Sequence, residues 1–591
     1  MDRFQALDMY VLSGIGAATV LLFYFLLRTD PEAAVHYHVE TPEQAQPGWK
    51  GEILEEPSIK VSGSSAIQCY CPATGASLGT VNPAIPEDID RAISKAKEAQ
   101  VEWARTTFTQ RRKVLKTMLK YVLENQEVIA RVACLDSGKT MVDASLGEIL
   151  VTAEKLKWTI KHGEKALKPE KRPTSFLMMY KSNEVIWEPL GVVAACVSWN
   201  YPFHNLISPI IASIFAGNAI IVKGSEATAW SSTFFTSIAT KALEACGHSP
   251  DLVQSVVCWP DVADYLTSHG SISHITFIGS RPVAHHVCAS AAKALTPVCV
   301  ELGGKDPAIV LDDLSSSDFK RVASILMRGV FQSAGQNCIG IERVIAMPKQ
   351  YEKLITHLTP LIRSLRPGSI LNIGPNDPPI DIGASVSAAN FDKLEELINE
   401  AVSQGARVLA GGTRYRHPLH PKGHYFAPTF IVDVNPSMRI ASTETFAPIF
   451  LLMRASSVSS CIALANSTPY ALGASVYGSS SSDLERVVRE VHAGMVAVND
   501  FAVFYMVQLP FGGVKGSGYG RFAGMEGLRG VSNQKAITRD RWPGVKTSIP
   551  GQMDLPIRNE AKAWKFAEGI VWVGYGDWRG MVRGIKGLVG L

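Results

Sequence analysis

A cysteine, a glutamate and an asparagine, each set at a turn, offer a nucleophile, a base and an oxyanion donor. Cys338 closes the segment Phe331-Gln332-Ser333-Ala334-Gly335-Gln336-Asn337-Cys338. That segment ends a predicted helix and turns at Gly335, so the thiol is expected in a loop before a strand over 343–347, where it can meet a substrate. Glu301 ends an apolar run in Val300-Glu301-Leu302-Gly303-Gly304-Lys305. Partial burial there, beside a permissive glycine pair, would raise its pKa toward that of a useful general base. Asn200, in Ser198-Trp199-Asn200-Tyr201-Pro202, follows a strand expected over 192–197 and can offer an amide N–H to a developing oxyanion. Taken singly, each also fits a structural residue: a buried cysteine, a surface glutamate, a turn asparagine.

Other motifs point to chemistry that their context denies. Gly75-Ala76-Ser77-Leu78-Gly79 matches the nucleophile elbow of serine hydrolases, but it lies between two expected strands rather than between a strand and a helix. Gly138-Lys139-Thr140 looks like the end of a phosphate loop, yet Ala133 stands where the first glycine is needed. The ten cysteines form no CxxC pair, and the 14 histidines include no HExxH. No metal site is expected, and a reducing compartment fits best.

The three reactive residues stand in an ordered series of motifs. Between SWNYP and ELGGK lie Lys223-Gly224-Ser225-Glu226 and Phe277-Ile278-Gly279-Ser280; after GQNC come Glu444-Thr445-Phe446-Ala447-Pro448 and Pro510-Phe511-Gly512-Gly513-Val514-Lys515-Gly516-Ser517-Gly518. In combination, order and spacing this closely resembles the aldehyde dehydrogenase superfamily, over about residues 60–540. The resemblance implies that Cys338 is the nucleophile, that Glu301 is the base, and that Asn200 and the Cys338 backbone N–H form the oxyanion hole. It implies a nicotinamide cofactor across Trp199, Lys223, Glu226, Gly279, Ser280, Glu444 and Phe446. A thiolate would add to an aldehyde, hydride would leave for the nicotinamide, and Glu301 would activate the water that hydrolyses the thioester. Relatives that acylate coenzyme A generally lack this glutamate, so a free acid product is implied. Pro282, just after Ser280, marks a helix start whose N–H groups can bind a pyrophosphate. Glu226 can accept from ribose hydroxyls and would repel a 2′-phosphate, so NAD is preferred over NADP. Three positions depart from the family pattern: Ser198 and Gly224 stand for prolines, and Ala447 for a glycine.

These side chains need a scaffold, and the periodicity describes one. Residues 67–81 read as a hairpin, and Pro86 opens a helix with Ile89, Ala92, Ile93, Ala96 and Ala99 on one face. A second helix is expected from Thr109. Beyond about 190, short apolar runs (191–197, 219–223, 275–278, 308–311) alternate with helix-length patterns, which is βαβ order. The expected fold is α/β and aldehyde dehydrogenase-like. A Rossmann-like cofactor domain is assigned to 61–170 and 190–301, with a return over 506–540, and an α/β catalytic domain to 302–505. The resemblance places a small bridging strand unit at 171–189 and about 531–540, and implies a homo-oligomer.

Met9 to Leu27 carries no charge and would span about 28 Å as a helix, which suits a bilayer core. Residues 1–30 are therefore expected to hold an N-terminal transmembrane helix, and 31–60 to be a tether. Residues 541–591 form a tail rich in tryptophan, glycine and basic residues, with an apolar stripe at helical spacing. The tail reads equally as an interfacial helix on a lipid bilayer or as a helix packed on the protein's own surface. Anchor and tail together resemble the fungal membrane-bound branch associated with meiotic sister-chromatid recombination. A single-pass location in the endoplasmic reticulum, catalytic part in the cytosol, is the resulting expectation. A chain with 46% hydrophobic and 19% charged residues has ample material for a large core. The 58 basic against 54 acidic residues argue against a nucleic-acid partner and for small-molecule chemistry, and the resemblance implies that the small molecule is an aldehyde. The competing reading is a catalytically silent membrane scaffold.

Overall fold

The computed structural model describes residues 30–371, 378–501 and 506–589 of the 591-residue chain. The expected span over 9–27 lies outside these residues. Among the described residues, no helix is long and apolar enough to cross a membrane.

Two compact units are present. The larger runs to Ala166 and resumes over Pro189–Ser532. It opens where a tether was expected. Instead, Glu32 pairs with Arg112 and Lys116, the Val35 N–H donates to Thr117 Oγ1, and Val39 and Ala45 are buried. Short apolar and acidic side chains spaced through this stretch are enough to fasten it to the helix Phe108–Glu124. The hairpin Ile67–Tyr70/Ser77–Val81 and the helix Pro86–Trp103 stand as the periodicity predicts, with Ile89, Ala92, Ile93 and Ala96 buried.

The cofactor sheet has Val192–Cys196 at its centre, parallel to Ala219–Lys223 on one side and to Ile275–Ile278 on the other. Val253–Val256 and Val298–Glu301 extend the two flanks, also parallel. In chain order this is the 3-2-1-4-5 arrangement of a doubly wound sheet, so the crevice opens between Val192–Cys196 and Ile275–Ile278, at the carboxyl ends of the strands. A short strand, Gly518–Tyr519, pairs antiparallel with Val298–Glu301 and brings the late PFGGVKGSG motif to its edge.

A second, seven-stranded sheet begins with Pro307–Val310 beside Arg343–Ala346. Its two faces are both covered. Ile309 and Ile345 enter one apolar cluster, while Ala308, Val310, Val344 and Ala346 enter the other. Continuous apolar runs are what a parallel strand buried on both faces requires.

The smaller unit comprises Leu167–Glu188 and the residues from Asn533 onward. Its three-stranded sheet joins Ser532–Asp540, Lys181–Pro189 and Glu170–Arg172 in that order. The tail, read from the sequence as one helix, belongs to this unit and forms two helices, Glu560–Tyr575 and Trp578–Leu588. Asn559 and Asp577 cap them, accepting from the N–H groups of Lys562 and Gly580. The glycines that weaken helix propensity here allow close approach: a Cβ on Gly569 would lie 2.8 Å from the Gly584 carbonyl oxygen.

Candidate active site

Every residue singled out in the early motifs sits at the carboxyl edge of the cofactor sheet. Trp199 and Asn200 follow Val192–Cys196, Lys223 ends its neighbour, Gly279 and Ser280 follow Ile275–Ile278, and Glu301 is the last residue of Val298–Glu301. The helix Ser316–Phe331 and a tight turn over Gln332–Gly335 then carry Cys338 to the same edge. Gly335 is in the left-handed region (φ 73°), and a Cβ there would lie 2.1 Å from the Ala447 carbonyl oxygen, so only glycine fits this close approach. Gln336 braces the turn: its Nε2 donates to the carbonyls of Ser333 and Ala384, and its Oε1 accepts from the Val386 N–H.

Cys338 and Glu301 line one cavity, with the carboxylate near enough to the thiol to act on its ionisation. Burial pushes the Cys338 thiol well up, and the adjacent Glu301 adds to that effect. Glu301 is buried, not exposed, and burial raises its pKa to about 7 against the opposing pull of the Gly303 N–H and the thiol. The Gly303 N–H donates to Glu301 Oε1 at 3.2 Å. Asn200 is buried beside the cysteine loop: its Nδ2 donates to the Gln336 carbonyl at 3.1 Å. Its Oδ1 accepts from Ser198 Oγ and Asn205 Nδ2.

The expected cofactor residues fall into contacting pairs. Trp199 and Phe446 meet edge to face, 5.6 Å between ring centroids. Lys223 Nζ donates to Glu226 Oε1 at 2.8 Å. Gly279 donates its N–H to the Glu301 carbonyl, and Ser280 occupies the N-cap position of the helix Arg281–Ala292 without a side-chain cap bond, with Pro282 in the first turn. Glu444 Oε1 accepts from the Gly304 N–H at 3.2 Å, and burial raises its pKa to about 8, with nearby Glu342 and Glu301 adding to the shift.

Several residues that matter to this arrangement escaped the motif reading. Glu342 accepts from Lys305 Nζ, Thr445 Oγ1 and the Phe446 N–H, and so ties the loop bearing Glu444 and Phe446 to the ELGGK lysine. Lys139, in the phosphate-loop look-alike, is buried against Glu148 at 2.5 Å and donates to the Asn200 carbonyl at 2.7 Å. Glu148 in turn accepts from the N–H groups of Phe203 and His204. The lysine was visible, but only the fold shows that it clamps the turn holding Asn200. Lys155 also lines the cavity. Among the described residues, no cluster of side chains could hold a metal ion.

The comparisons with known proteins bear on the family and the fold. The aldehyde dehydrogenase family profile matches residues 59–537. An aldehyde dehydrogenase-like protein of Saccharomyces cerevisiae, YHR039C, is 51% identical over 548 residues, covering 91% of this chain and 84% of its own length. A like-named Schizosaccharomyces pombe protein, C21C3, is 52% identical over 522 residues, covering 88% and 98%. Among solved structures, a Mycobacterium tuberculosis aldehyde dehydrogenase complexed with NAD+ superposes with TM-score 0.74 at 27% identity, over 83% of this chain and 97% of that one. An E. coli enzyme described as NADP dependent gives 0.75 at 28%, over 81% and 95%. From its cysteine turn to its doubly wound sheet, this chain belongs to the aldehyde dehydrogenase family.

Proposed function

We propose that the protein oxidises an aldehyde to the carboxylic acid with NAD while tethered to a membrane. The observation that carries the catalytic reading is that the Cys338 thiol and the buried Glu301 carboxylate line one cavity. The Cys338 thiol loses its proton to solvent and the thiolate adds to the carbonyl carbon, while Glu301, its pKa raised to about 7, stays available as a carboxylate for the later hydrolysis. The oxyanion then meets the Asn200 side-chain N–H and the Cys338 backbone N–H. Ser198 and Asn205 saturate the amide oxygen, which turns the N–H end of Asn200 toward the cysteine loop. A nicotinamide dinucleotide, when bound, would supply the acceptor for the hydride that leaves the carbonyl carbon. Glu301 next withdraws a proton from the water that opens the thioester, freeing the acid and Cys338.

The residues present fit a nicotinamide dinucleotide. They lie at the switch point of a 3-2-1-4-5 sheet, with a helix N-terminus at Ser280 suited to a pyrophosphate. Lys223 and Glu226 would hold the ribose, Trp199 and Phe446 the flanking surfaces, and Gly279 and Glu444 the remaining contacts. Glu226 opposes a 2′-phosphate, which favours NAD over NADP.

The membrane reading rests on the uncharged run at 9–27. The helical hairpin of the tail is a second contact, because Trp564, Tyr575 and Trp578 are each more than two-thirds exposed beside Arg579 and Arg583. Ten free cysteines suit a catalytic part on the cytosolic face of the endoplasmic reticulum. A homo-oligomer would form through the strands of the smaller unit.

The test is NADH formation by the purified full-length chain across aldehydes of graded length. Folded protein that reduces neither NAD nor NADP with any of them would leave the silent-scaffold reading in its place.

A further inference from the structure

The cavity holding Cys338 is lined by apolar residues, among them Ile339, Phe511 and Phe522, and also by the polar residues Lys155, His204, Asn205 and Ser208. Lys155, from the helix Val151–Ala166, is buried, and its Nζ donates to Ser208 Oγ at 2.6 Å and to the Phe522 carbonyl at 3.1 Å. Both acceptors are neutral. An ammonium has three N–H donors, so one remains, and no carboxylate of the described residues lies within ion-pair distance of it.

The other charges nearby are already committed. Lys139 is matched by Glu148, and Glu301 is engaged by Cys338 and Gly303. His204 accepts or donates at Thr152 Oγ1, and burial, with Lys155 and Lys139 adding to it, holds its pKa down at about 3, so it contributes no charge. Burial likewise draws Lys155 down to about 7. A second unspent donor lines the same cavity: Asn337 Nδ2 is buried without a hydrogen-bond partner. A cation buried without a counter-ion is destabilising unless a ligand brings the opposite charge.

We propose that the aldehyde substrate carries an anionic group, a carboxylate in the simplest case, remote from its carbonyl, and that this group seats against Lys155. The apolar walls accommodate the alkyl segment between the two ends. A plain alkyl aldehyde would fill the walls but leave the ammonium desolvated and unpaired. This inference rests on the aldehyde-oxidising reading of Cys338 and names the substrate class for that same cavity. Oxidation there turns an ω-carboxy aldehyde, with NAD and water, into a dicarboxylate, NADH and protons, so the balance needs no further reactant.

The experiment compares ω-carboxy aldehydes with n-alkanals of equal length, about four to eight carbons, using the full-length protein and NAD. The expected result is a kcat/KM roughly tenfold or more higher for the best carboxy aldehyde than for its alkanal. Lys155→Met should bring that ratio toward one, chiefly through KM, and Lys155→Arg should restore most of it. An equal or greater preference of the wild type for alkanals, or a ratio unchanged in Lys155→Met, overturns the proposal. Calorimetric titration with glutarate separates this from failure of the catalytic reading. Binding that is lost in Lys155→Met upholds the anion subsite even if no aldehyde is turned over, and absence of binding to the wild type overturns it.

Discussion

Ser198 Oγ donates to the side-chain oxygen of Asn200 at 2.7 Å. Ser198 stands where the family pattern has proline, and its hydroxyl gives the turn a hydrogen bond that orients the amide. Asn200→Ala is expected to lower kcat by about 10²–10³-fold through loss of the oxyanion donor. Ser198→Ala should lower it far less, by roughly 3- to 10-fold, because Asn205 still holds the amide oxygen. Steady-state kinetics on both variants check the order.

Cys338→Ala should abolish NADH formation, since the thiol is the only covalent handle in the scheme. The side chain is half-buried at the edge of a small cluster with Ile339, Leu472 and Met495, so the loss in stability should be no more than about 1 kcal/mol. Thermal unfolding measured alongside activity separates the two effects, and retained activity would sink the mechanism.

Glu301→Gln should still give an initial burst of NADH followed by slow turnover, because hydrolysis suffers more than hydride release. In the wild type the active form is the carboxylate, so turnover should fall as pH drops through about 7, and the Gln variant should lose that limb. The stability sign is the reverse of a salt-bridged acid. A carboxyl whose folded pKa is raised binds its proton more tightly in the folded state, so it withdraws stability as pH rises from about 4.5 to about 7. Glu301→Gln should therefore be at least as stable as the wild type at pH 8, which a denaturant titration can measure.

Lys139→Met removes one partner of a fully buried ion pair and leaves Glu148 uncompensated. A loss of about 3–5 kcal/mol is expected, with activity falling as the Asn200 turn loosens. Wild-type stability in this variant would show that the pair does not brace the turn.

Glu226→Ser should raise the specificity for NADP relative to NAD by roughly tenfold, since it removes a negative charge that Lys223 now partners. Parallel kinetics with the two cofactors decide it, and an unchanged ratio would mean that Glu226 does not reach the ribose.

Deleting residues 1–30 should release most of the protein from membranes, while any remainder held by the tail should leave anionic vesicles as salt rises. Full, salt-resistant retention would move the attachment to the helical hairpin.

Much of the fold was legible because its signals are local. Apolar runs of four or five residues, each ending in glycine or a polar residue, marked Val192–Cys196, Ala219–Lys223 and Ile275–Ile278. Motif order likewise named Cys338, Glu301 and Asn200. What the tertiary structure alone decided is long-range. Glu32 reaches Arg112, so the expected tether is fastened, and Gly569 meets Gly584, so the expected single tail stripe becomes a helical pair. Lys155 meets Ser208 across 53 residues and Phe522 across 367, and Lys139 meets Asn200 across 61. A side chain's hydrophobicity and spacing state which face it wants to bury, but not what it will find there. Whether a buried cation is clamped by a glutamate, as Lys139 is, or left open to a ligand, as Lys155 is, depends on the packing of distant elements, which no local pattern encodes.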